Sequence, residues 1–187
     1  MESVPPLDDS DESIALRVQN DNNEMFGLLM QRYQAKLTRY GRRFLARNEQ
    51  IEDIVQDVFI KAYQNIQSFD TNRRFSPWIY RIAHNAFVNA LREKHRDPLV
   101  FIDMDTLIAH PSYDTDPALE EEHAEMQVLI DKGLTSLSSQ YREVIILYYI
   151  ENISYQEIAD IIHVPLGTVG VRLMRARQAL KKYVTKP

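Results

Sequence analysis

Apolar residues recur three and four positions apart along most of this chain, the spacing that places side chains on one face of an α-helix. The pattern predicts long helices from about Glu24 to Arg47, from Glu49 to Ile66 and from Pro77 to about Lys94. A shorter capped helix is expected ahead of them, from about residue 10 to residue 19. No segment shows the alternation of a strand or a hairpin turn signal, so the pattern predicts an all-α protein.

The most informative segment is ISYQEIADIIHVPLGTVGVRLMRARQAL, residues 153–180. It predicts two helices, about 154–162 and 166–183, separated by a tight turn. Ser154 and Glu157 have the spacing of a capping box at the start of the first of these helices.

The second of these helices has two distinct faces. Its apolar face carries Leu166, Val169, Leu173, Ala176 and Leu180. Its opposite face carries Thr168, Gly170, Val171, Arg172, Arg175 and Gln178. This pattern is typical of a helix-turn-helix, whose second helix presents short polar and basic side chains to a major groove. The alternative is an ordinary helical hairpin with a solvated basic face.

Proline and acidic residues without a helical period mark residues 99–117 as a flexible linker. The sequence therefore predicts two small helical domains, residues 10–98 and 118–187. The second would hold helices at roughly 118–132 and 138–150 ahead of the helix-turn-helix.

Charge is distributed unevenly along the chain. The whole chain has a net charge of −5, but residues 26–98 have thirteen bases against seven acids and residues 131–187 eight against five. The acidic excess lies in residues 1–25 and 99–130. Two basic blocks separated by acidic segments fit a nucleic-acid partner better than the net charge does.

Several function classes are disfavoured by composition. The absence of cysteine removes disulfides, thiolate metal sites and cysteine nucleophiles, and it fits a reducing compartment. The histidines have no metal-ligand spacing and no glycine-rich phosphate loop is present, so neither an enzyme nor a cofactor is expected. The longest apolar run, residues 144–150, is far shorter than the roughly 18 residues of a membrane span. The acidic N-terminus has no apolar core of a signal peptide, so a soluble cytoplasmic protein is expected.

Three segments, taken in order, carry a family resemblance: EDIVQDVFIKAYQNIQSF, FSPWIYRIAHNAFVNALR and LSSQYREVIILYYIENISYQEIADIIHVPLGTVGVRLMRAR. They resemble the extracytoplasmic-function (ECF) sigma factors of bacterial RNA polymerase, group four of the sigma-70 family, from about Ser13 to Tyr183. The resemblance implies sigma region two in residues 10–98 and sigma region four in residues 118–187. It implies that the chain binds core polymerase, directs it to promoters and helps to open the DNA. A monomer when free, with an anti-sigma factor as a further partner, is also expected.

The resemblance assigns core-polymerase binding to the helix at 49–66, on the side away from its apolar stripe. The candidate residues there are Glu52, Asp53, Gln56 and Asp57. The last three fall on the family positions that meet a basic coiled coil of the polymerase clamp. From the residues alone, a solvated helix face is the simpler interpretation.

Recognition and melting of the downstream (minus-ten) promoter element is assigned by the same resemblance to the loop after this helix and to the next helix. Such a site needs cations for phosphate and polar or aromatic groups that hold an unstacked base. Asn85 falls on the position that touches the extruded base, and Phe75 would add a ring; Trp78 is either a base wedge or core. The candidates are Phe69, Asp70, Thr71, Asn72, Arg73, Arg74, His84, Asn85, Asn89 and Arg92.

The upstream (minus-thirty-five) element is assigned to the second helix of the helix-turn-helix. The candidates are Thr168, Gly170, Val171, Arg172, Met174, Arg175 and Arg177. Arg175 falls on a base-reading position of the family. Gly170-Val171 departs from the family, which usually has a basic residue and a serine there. We therefore expect an altered or weakened upstream preference, with Val171 and Met174 available for thymine methyl groups or a partner protein.

Two other classes of function remain open at this point. The chain would be an autonomous DNA-binding regulator if the helix-turn-helix worked without polymerase, although that leaves residues 24–98 without a role. It would be a sigma-like interaction module if Gly170-Val171 had removed promoter recognition and left only docking on a partner.

Overall fold

The computed structural model describes residues 10–96, 133–134 and 136–184, and the secondary structure of these residues is helical. The amino-terminal lobe contains α1 (Asp11–Gln19), α2 (Phe26–Gly41), α3 (Asn48–Gln64) and α4 (Phe75–Arg96). The carboxy-terminal lobe contains α5 (Ser139–Ile145), a π-helical turn (Ile146–Ile150), α6 (Tyr155–Ile162) and α7 (Leu166–Val184). Short 3₁₀ turns occupy Asn23–Met25 and Ile66–Ser68. The all-α prediction is confirmed.

The predicted short first helix is confirmed, and its cap is Ser10. The Ser10 hydroxyl accepts a hydrogen bond from the Ser13 amide at 3.2 Å, and two acidic residues follow in the first turn. The predicted linker, residues 99–117, and the predicted helix at 118–132 lie outside the described residues. The two domain boundaries therefore stay predictions.

Buried aromatic side chains form the centre of the amino-terminal lobe, where α2, α3 and α4 pack together. Tyr40, Tyr80 and Phe87 are fully buried, and the Tyr40 and Tyr80 rings meet edge to face at 5.2 Å. Phe44 stacks on Phe87 at 5.2 Å. Aromatic pairs of this kind add stabilisation beyond the apolar area that they bury.

Two helix ends in this lobe differ from the prediction. The helix predicted to reach Arg47 ends at Gly41, and the amides of Phe44 and Leu45 turn back to the Gly41 carbonyl. The helix predicted from Pro77 begins at Phe75, whose amide donates to the Glu12 carboxylate of α1 at 2.8 Å. The end of α2 carries local backbone bonds, and the start of α4 carries a bond to a residue distant in sequence. The periodicity of apolar residues shows neither of them.

The carboxy-terminal lobe buries most of the predicted faces of its helices. Val169, Leu173 and Ala176 of α7 are fully buried, as predicted, but Leu166 is 48% exposed. Within the apolar run at 144–150, the first four residues are buried, whereas Tyr149 and Ile150 are exposed. The chain enters a π-helical turn there, which rotates the end of the run out of the core.

The two lobes pack against each other, chiefly α4 against α6. The sequence alone left their arrangement open. This contact positions the candidate sites considered below.

The close approach at Gly41 gives a first testable prediction. A Cβ atom at this position would lie 2.4 Å from Phe87 Cζ and 2.8 Å from Ile51 Cγ2. Gly41→Ala should therefore lower the free energy of unfolding by about 1–3 kcal/mol, measured by urea denaturation. Gly27→Ala in the same helix is the control, since a Cβ there meets nothing within 4 Å. Equal stability of the two variants would contradict the packing described.

Candidate nucleic-acid interface

The helix-turn-helix begins with the predicted capping box. The Ser154 hydroxyl accepts from the Glu157 amide at 3.3 Å, and the Glu157 carboxylate accepts from the Ser154 amide at 2.8 Å. Helix α6 ends at His163, which adopts the left-handed conformation with φ 54°. The Pro165 carbonyl then accepts from the Thr168 amide at 2.8 Å, so α7 starts at once. These local bonds fix the angle between α6 and α7.

The outward face of α7 carries apolar as well as basic side chains. Val171 is 44% exposed and Met174 50% exposed. Arg175 is exposed, Arg172 and Thr168 are half-buried, and a Cβ atom added at Gly170 would meet nothing within 4 Å. This face therefore has space for a longer side chain at position 170, and its cations lie beside two exposed apolar groups.

Arg177 is held by two tyrosines of its own lobe. Its Nε donates to the Tyr149 hydroxyl at 2.6 Å and its Nη2 to the Tyr155 hydroxyl at 3.2 Å. The guanidinium also lies 5.8 Å from the centre of the Tyr148 ring. These bonds tie Arg177 to the π-helical turn and to α6, a role that the sequence analysis did not foresee beside its predicted DNA contact.

The predicted polymerase-binding residues lie together on α3. Glu52, Asp53, Gln56 and Asp57 are all exposed, whereas the residues on the opposite side of the helix are buried. Beside them an apolar groove of about 730 Å³ runs between α2 and α3. Its walls include exposed Met30 and Ile60. An acidic and amide patch next to an exposed apolar groove is suited to a protein partner.

The predicted minus-ten loop is held by an Asp70 turn. The Asp70 carboxylate accepts a hydrogen bond from the Asn72 amide at 3.0 Å. The main-chain carbonyl of Asp70 accepts one from the Arg73 amide at 2.9 Å. Arg73 and Arg74 are exposed, and Thr71 is half-buried. The loop therefore presents two cations on a short, pre-formed turn.

The aromatic residues of this loop mostly belong to the core. Phe75 is fully buried, so the expectation that its ring holds an unstacked base is wrong for this structure. Phe69 is 5% exposed and packs on Phe75 and Trp78. Trp78 is half-buried and lines a cleft of about 570 Å³ together with Arg73, Arg74 and other residues of the loop.

The predicted minus-ten residues of α4 separate into two sets. Asn89 and Arg92 are exposed, and Asn85 is exposed but lies against the other lobe, with its Oδ1 3.1 Å from His163 Nε2. His84 is only 8% exposed, which makes it a poor candidate for a direct base contact in this arrangement. Its role here is in the contact between the lobes.

A buried carboxylate, Glu143 of α5, joins the lobes. Its Oε1 lies 2.6 Å from Arg43 Nη1 and 3.0 Å from His84 Nδ1, and it accepts from the Tyr40 hydroxyl at 2.7 Å. Glu143 is 4% exposed and Arg43 9%. Sequence reasoning missed Glu143. The available signal was a single acidic residue directly before an apolar run, where a buried charge needs a partner.

Burial alone would raise the pKa of Glu143, but the neighbouring Arg43 and His84 outweigh burial and lower it to about 2. Burial and the Glu143 carboxylate raise the pKa of Tyr40 well above its usual value, so the phenol stays a donor. The lowered pKa means that Glu143 is ionised at neutral pH. The contribution of Glu143 to the free energy of unfolding is complete above the pH range in which ordinary carboxyl groups titrate. It declines only as the pH falls towards 2.

A second carboxylate, Glu151, makes a parallel contact. Its Oε1 lies 2.8 Å from Arg39 Nη2, and its Oε2 lies 3.9 Å from Lys36 Nζ. Glu151 is 7% exposed, and burial together with Glu151 raises the pKa of Tyr80. The region between the lobes is therefore lined with acids from the carboxy-terminal lobe and bases from the amino-terminal lobe.

Comparison with known proteins shows to which family the chain that carries these surfaces belongs. The family model for Sigma-70 region 2 matches residues 29–97, and that for Sigma-70, region 4 matches residues 127–180. The ECF RNA polymerase sigma factor SigW of Bacillus subtilis is 35% identical over 174 residues, which cover 89% of this chain and 92% of SigW. This chain belongs to the ECF sigma factors. It is accordingly an alternative sigma factor, and its two lobes are sigma region two and sigma region four.

Other similar proteins agree with the family. The ECF RNA polymerase sigma-E factor of Escherichia coli K12 is 33% identical over 183 residues, with 94% of each chain covered. Among solved structures, CnrH in complex with the cytosolic domain of CnrY matches with a TM-score of 0.63 and 25% identity, covering 94% of this sigma factor and 97% of that chain. The sigma factor RpoE in complex with the anti-sigma factor NepR from Bartonella quintana gives a TM-score of 0.63 and 26% identity, covering 85% and 96%.

The residues that the structure describes hold no candidate membrane span and no candidate metal site. None of their helices is long and apolar enough to cross a membrane. No cluster of three or more histidine, cysteine, aspartate or glutamate residues among them is arranged to hold a metal ion.

The capping box gives a second prediction. Ser154→Ala removes an acceptor from the first turn of α6 and should destabilise region four by about 1 kcal/mol, measured by thermal and urea unfolding. Ser138→Ala is the matched control, because the Ser138 hydroxyl at the start of α5 makes no cap bond and has no partner among the residues described. A loss of stability at Ser138 as large as that at Ser154 would count against the capping role.

Proposed function

We propose that this sigma factor uses three separate surfaces in transcription initiation. The exposed face of α3 with Glu52, Asp53, Gln56 and Asp57 binds core RNA polymerase. The Asp70 loop and the exposed face of α4 recognise and melt the minus-ten element. The outward face of α7 reads the minus-thirty-five element in the major groove. The observation that carries the proposal is that every residue of the α3 patch is exposed beside an apolar groove.

Physical chemistry supports the division between the two DNA-reading surfaces. Arg73 and Arg74 are exposed on a fixed turn, where they can neutralise phosphates of a strand whose bases have separated. An α-helix such as α7 fits the major groove, and an arginine at position 175 can pair with guanine for about 1–3 kcal/mol of discrimination. The chain recognises promoter DNA and helps to open it, and it does not itself catalyse a reaction. It acts in the cytoplasm, where polymerase acts.

An anti-sigma factor is proposed as a further partner. The support is that two solved proteins of similar fold form complexes with another protein: CnrH with the cytosolic domain of CnrY, and the sigma factor RpoE with the anti-sigma factor NepR. The apolar groove between α2 and α3 and the exposed apolar residues of α7 offer this chain surfaces of the required kind.

One observation favours the second candidate, a sigma-like module that docks without reading the upstream element. The outward face of α7 has no side chain at Gly170 and exposes Val171 and Met174. Run-off transcription with purified core polymerase and a promoter library separates the candidates. Core-dependent transcription from a subset of promoters supports the sigma factor function. Core binding without open complexes supports the module, and tight duplex binding without core supports an autonomous regulator.

The α3 patch gives a third prediction. A triple variant with Asp53→Ala, Gln56→Ala and Asp57→Ala should weaken binding to core polymerase about tenfold or more, because the carboxylates and the amide are the polar contacts proposed for the clamp. The measurement is a fluorescence titration of core polymerase. Glu49→Ala, an exposed acidic residue of the same helix, should bind as the wild type does. Unchanged affinity of the triple variant would show that the patch does not lie in the polymerase interface.

Position 170 gives a fourth prediction. Gly170→Arg should raise the affinity of the holoenzyme for duplex promoter DNA and steepen the salt dependence by about one phosphate contact. Gly170→Gln is the control, because it also replaces the glycine within the helix but adds no charge. The slope of log K against the logarithm of the salt concentration should change for Gly170→Arg and not for Gly170→Gln. Identical slopes for both variants and the wild type would show that position 170 does not face the DNA.

A further inference from the structure

We propose that Tyr149 is a positioning residue for recognition of the upstream promoter element. Together with Tyr155 it holds Arg177 at the edge of α7, where the guanidinium and the two hydroxyls form a clamp for one phosphate of the DNA duplex. This role of Tyr149 rests on the assignment of α7 to the minus-thirty-five element under Proposed function. It gives Arg177 a contact with the DNA backbone and not with a base.

Tyr149 is placed by the π-helical turn that ends the apolar run at 144–150. The Glu151 amide donates to the Ile146 carbonyl, five residues earlier, at 3.1 Å. The turn leaves Tyr149 51% exposed, whereas Leu147 before it is fully buried. Single π-helical turns inside helices are frequent at functional sites. The exposed tyrosine at the end of a buried run therefore has a role other than core packing.

Two tyrosine hydroxyls bind the Arg177 guanidinium from different elements. Nε of Arg177 donates to the Tyr149 hydroxyl at 2.6 Å, and Nη2 donates to the hydroxyl of Tyr155, the first residue of α6, at 3.2 Å. The bonds start from two nitrogens of one planar group, so they fix the plane of the guanidinium as well as its position. The tyrosine pair therefore orients Arg177 relative to the helix-turn-helix.

The tyrosine pair is itself fixed by a third ring, that of Tyr148. This ring meets Tyr149 at 4.9 Å and Tyr155 at 5.0 Å, both edge to face. An arginine side chain has several rotatable bonds, and ordering them at the moment of binding lowers affinity. Because Arg177 is ordered before DNA arrives, that loss is reduced.

The cluster presents hydrogen-bond donors to solvent. Each tyrosine hydroxyl accepts from Arg177 and keeps its own hydrogen for a further acceptor. The guanidinium has more N–H donors than these two bonds use, and Arg177 is exposed. Phosphate oxygens of DNA accept hydrogen bonds from arginine and tyrosine. The three groups are thus suited to one phosphate of the duplex.

The place of Arg177 on α7 indicates the DNA backbone and not a base. Arg177 directly follows buried Ala176 and lies two helical turns beyond Gly170, at the edge of the outward face. It is also about 16 Å along the helix from Leu166, the first residue of α7. Base edges are reached chiefly from the first part of a recognition helix, and the rims of the groove are phosphates.

The test measures binding of the holoenzyme to duplex DNA that carries a promoter selected by run-off transcription. The variants are Tyr149→Phe, Arg177→Lys, Arg177→Gln and the double variant of Tyr149→Phe with Arg177→Gln. Tyr141→Phe is the control, since it removes a hydroxyl from half-buried Tyr141 of α5, outside the cluster. Arg175→Gln tests the assignment of α7 separately. Affinity, its salt dependence and the preference at each base pair of the upstream element are measured for every protein.

Tyr149→Phe should weaken binding about fivefold with nearly the same salt slope, because the charge at position 177 remains. Arg177→Gln should weaken binding about tenfold and lower the slope by about one phosphate contact. The double variant should bind no more weakly than Arg177→Gln, since the hydroxyl acts through the arginine. Arg177→Lys should keep the slope and lose affinity as Tyr149→Phe does, because lysine lacks the planar fork. The losses should be equal for all base substitutions.

Full affinity of Tyr149→Phe, or an equal loss in Tyr141→Phe, would overturn the positioning role. Wild-type affinity of Arg177→Lys would overturn it as well, because charge alone would then suffice. A preference lost at one base pair in Arg177→Gln would show that Arg177 reads a base. In each of these cases weaker binding by Arg175→Gln leaves the assignment of α7 in place. If Arg175→Gln and Arg177→Gln both bind as the wild type does, that assignment fails together with the clamp.

Discussion

The ionised carboxylate of Glu143 is the interaction on which the arrangement of this molecule depends. Three groups lie within 3.0 Å of one oxygen of this side chain: Arg43 Nη1, His84 Nδ1 and the Tyr40 hydroxyl. All three belong to the other lobe. A buried carboxylate is tolerated only with such partners, because the loss of hydration must be offset by charge and hydrogen bonding. The two regions of the sigma factor are therefore joined by these polar contacts as well as by an apolar core that continues from one lobe into the other.

These polar contacts differ in kind from the apolar core, which continues through both lobes. Tyr40, Tyr80 and Phe87 pack in region two, and Val169, Leu173 and Ala176 pack in region four, by apolar burial. Such cores hold each lobe together, whereas paired charges lose less on separation because their hydration is restored. The distribution of forces therefore favours movement of whole lobes over unfolding of either one.

Much of the local structure could be predicted from the sequence. The periodicity of the apolar residues located the main helices of the described regions, and Ser154 and Glu157 form the predicted capping box. These features depend on residues within a turn or two of one another. The close approach of Gly41 to Phe87 and the start of α4 at Phe75, whose amide donates to Glu12, depend instead on residues that are distant in sequence. The spacing of apolar residues along the chain does not show such contacts.

The candidate surfaces show the same division. Residues 52, 53, 56 and 57 were predicted to share an exposed face of one helix, and they do. His84 was predicted from its neighbours on α4 to face DNA, yet it is buried against Glu143. Pairing between the lobes involves residues about sixty to one hundred and ten positions apart. No spacing rule connects residues so far apart, and Glu143 could only be suspected from its charge.

The most direct measurement follows a spin-labelled chain, with cysteines introduced at positions 20 and 140, from the free protein into the complex with core polymerase and a promoter that it transcribes. The account predicts a single short separation of the labels in the free protein. In the transcribing complex it predicts a longer separation, because the loop and the α4 face proposed for the minus-ten element must leave α6 to reach DNA. The same short separation in a complex that has opened the promoter would contradict the account.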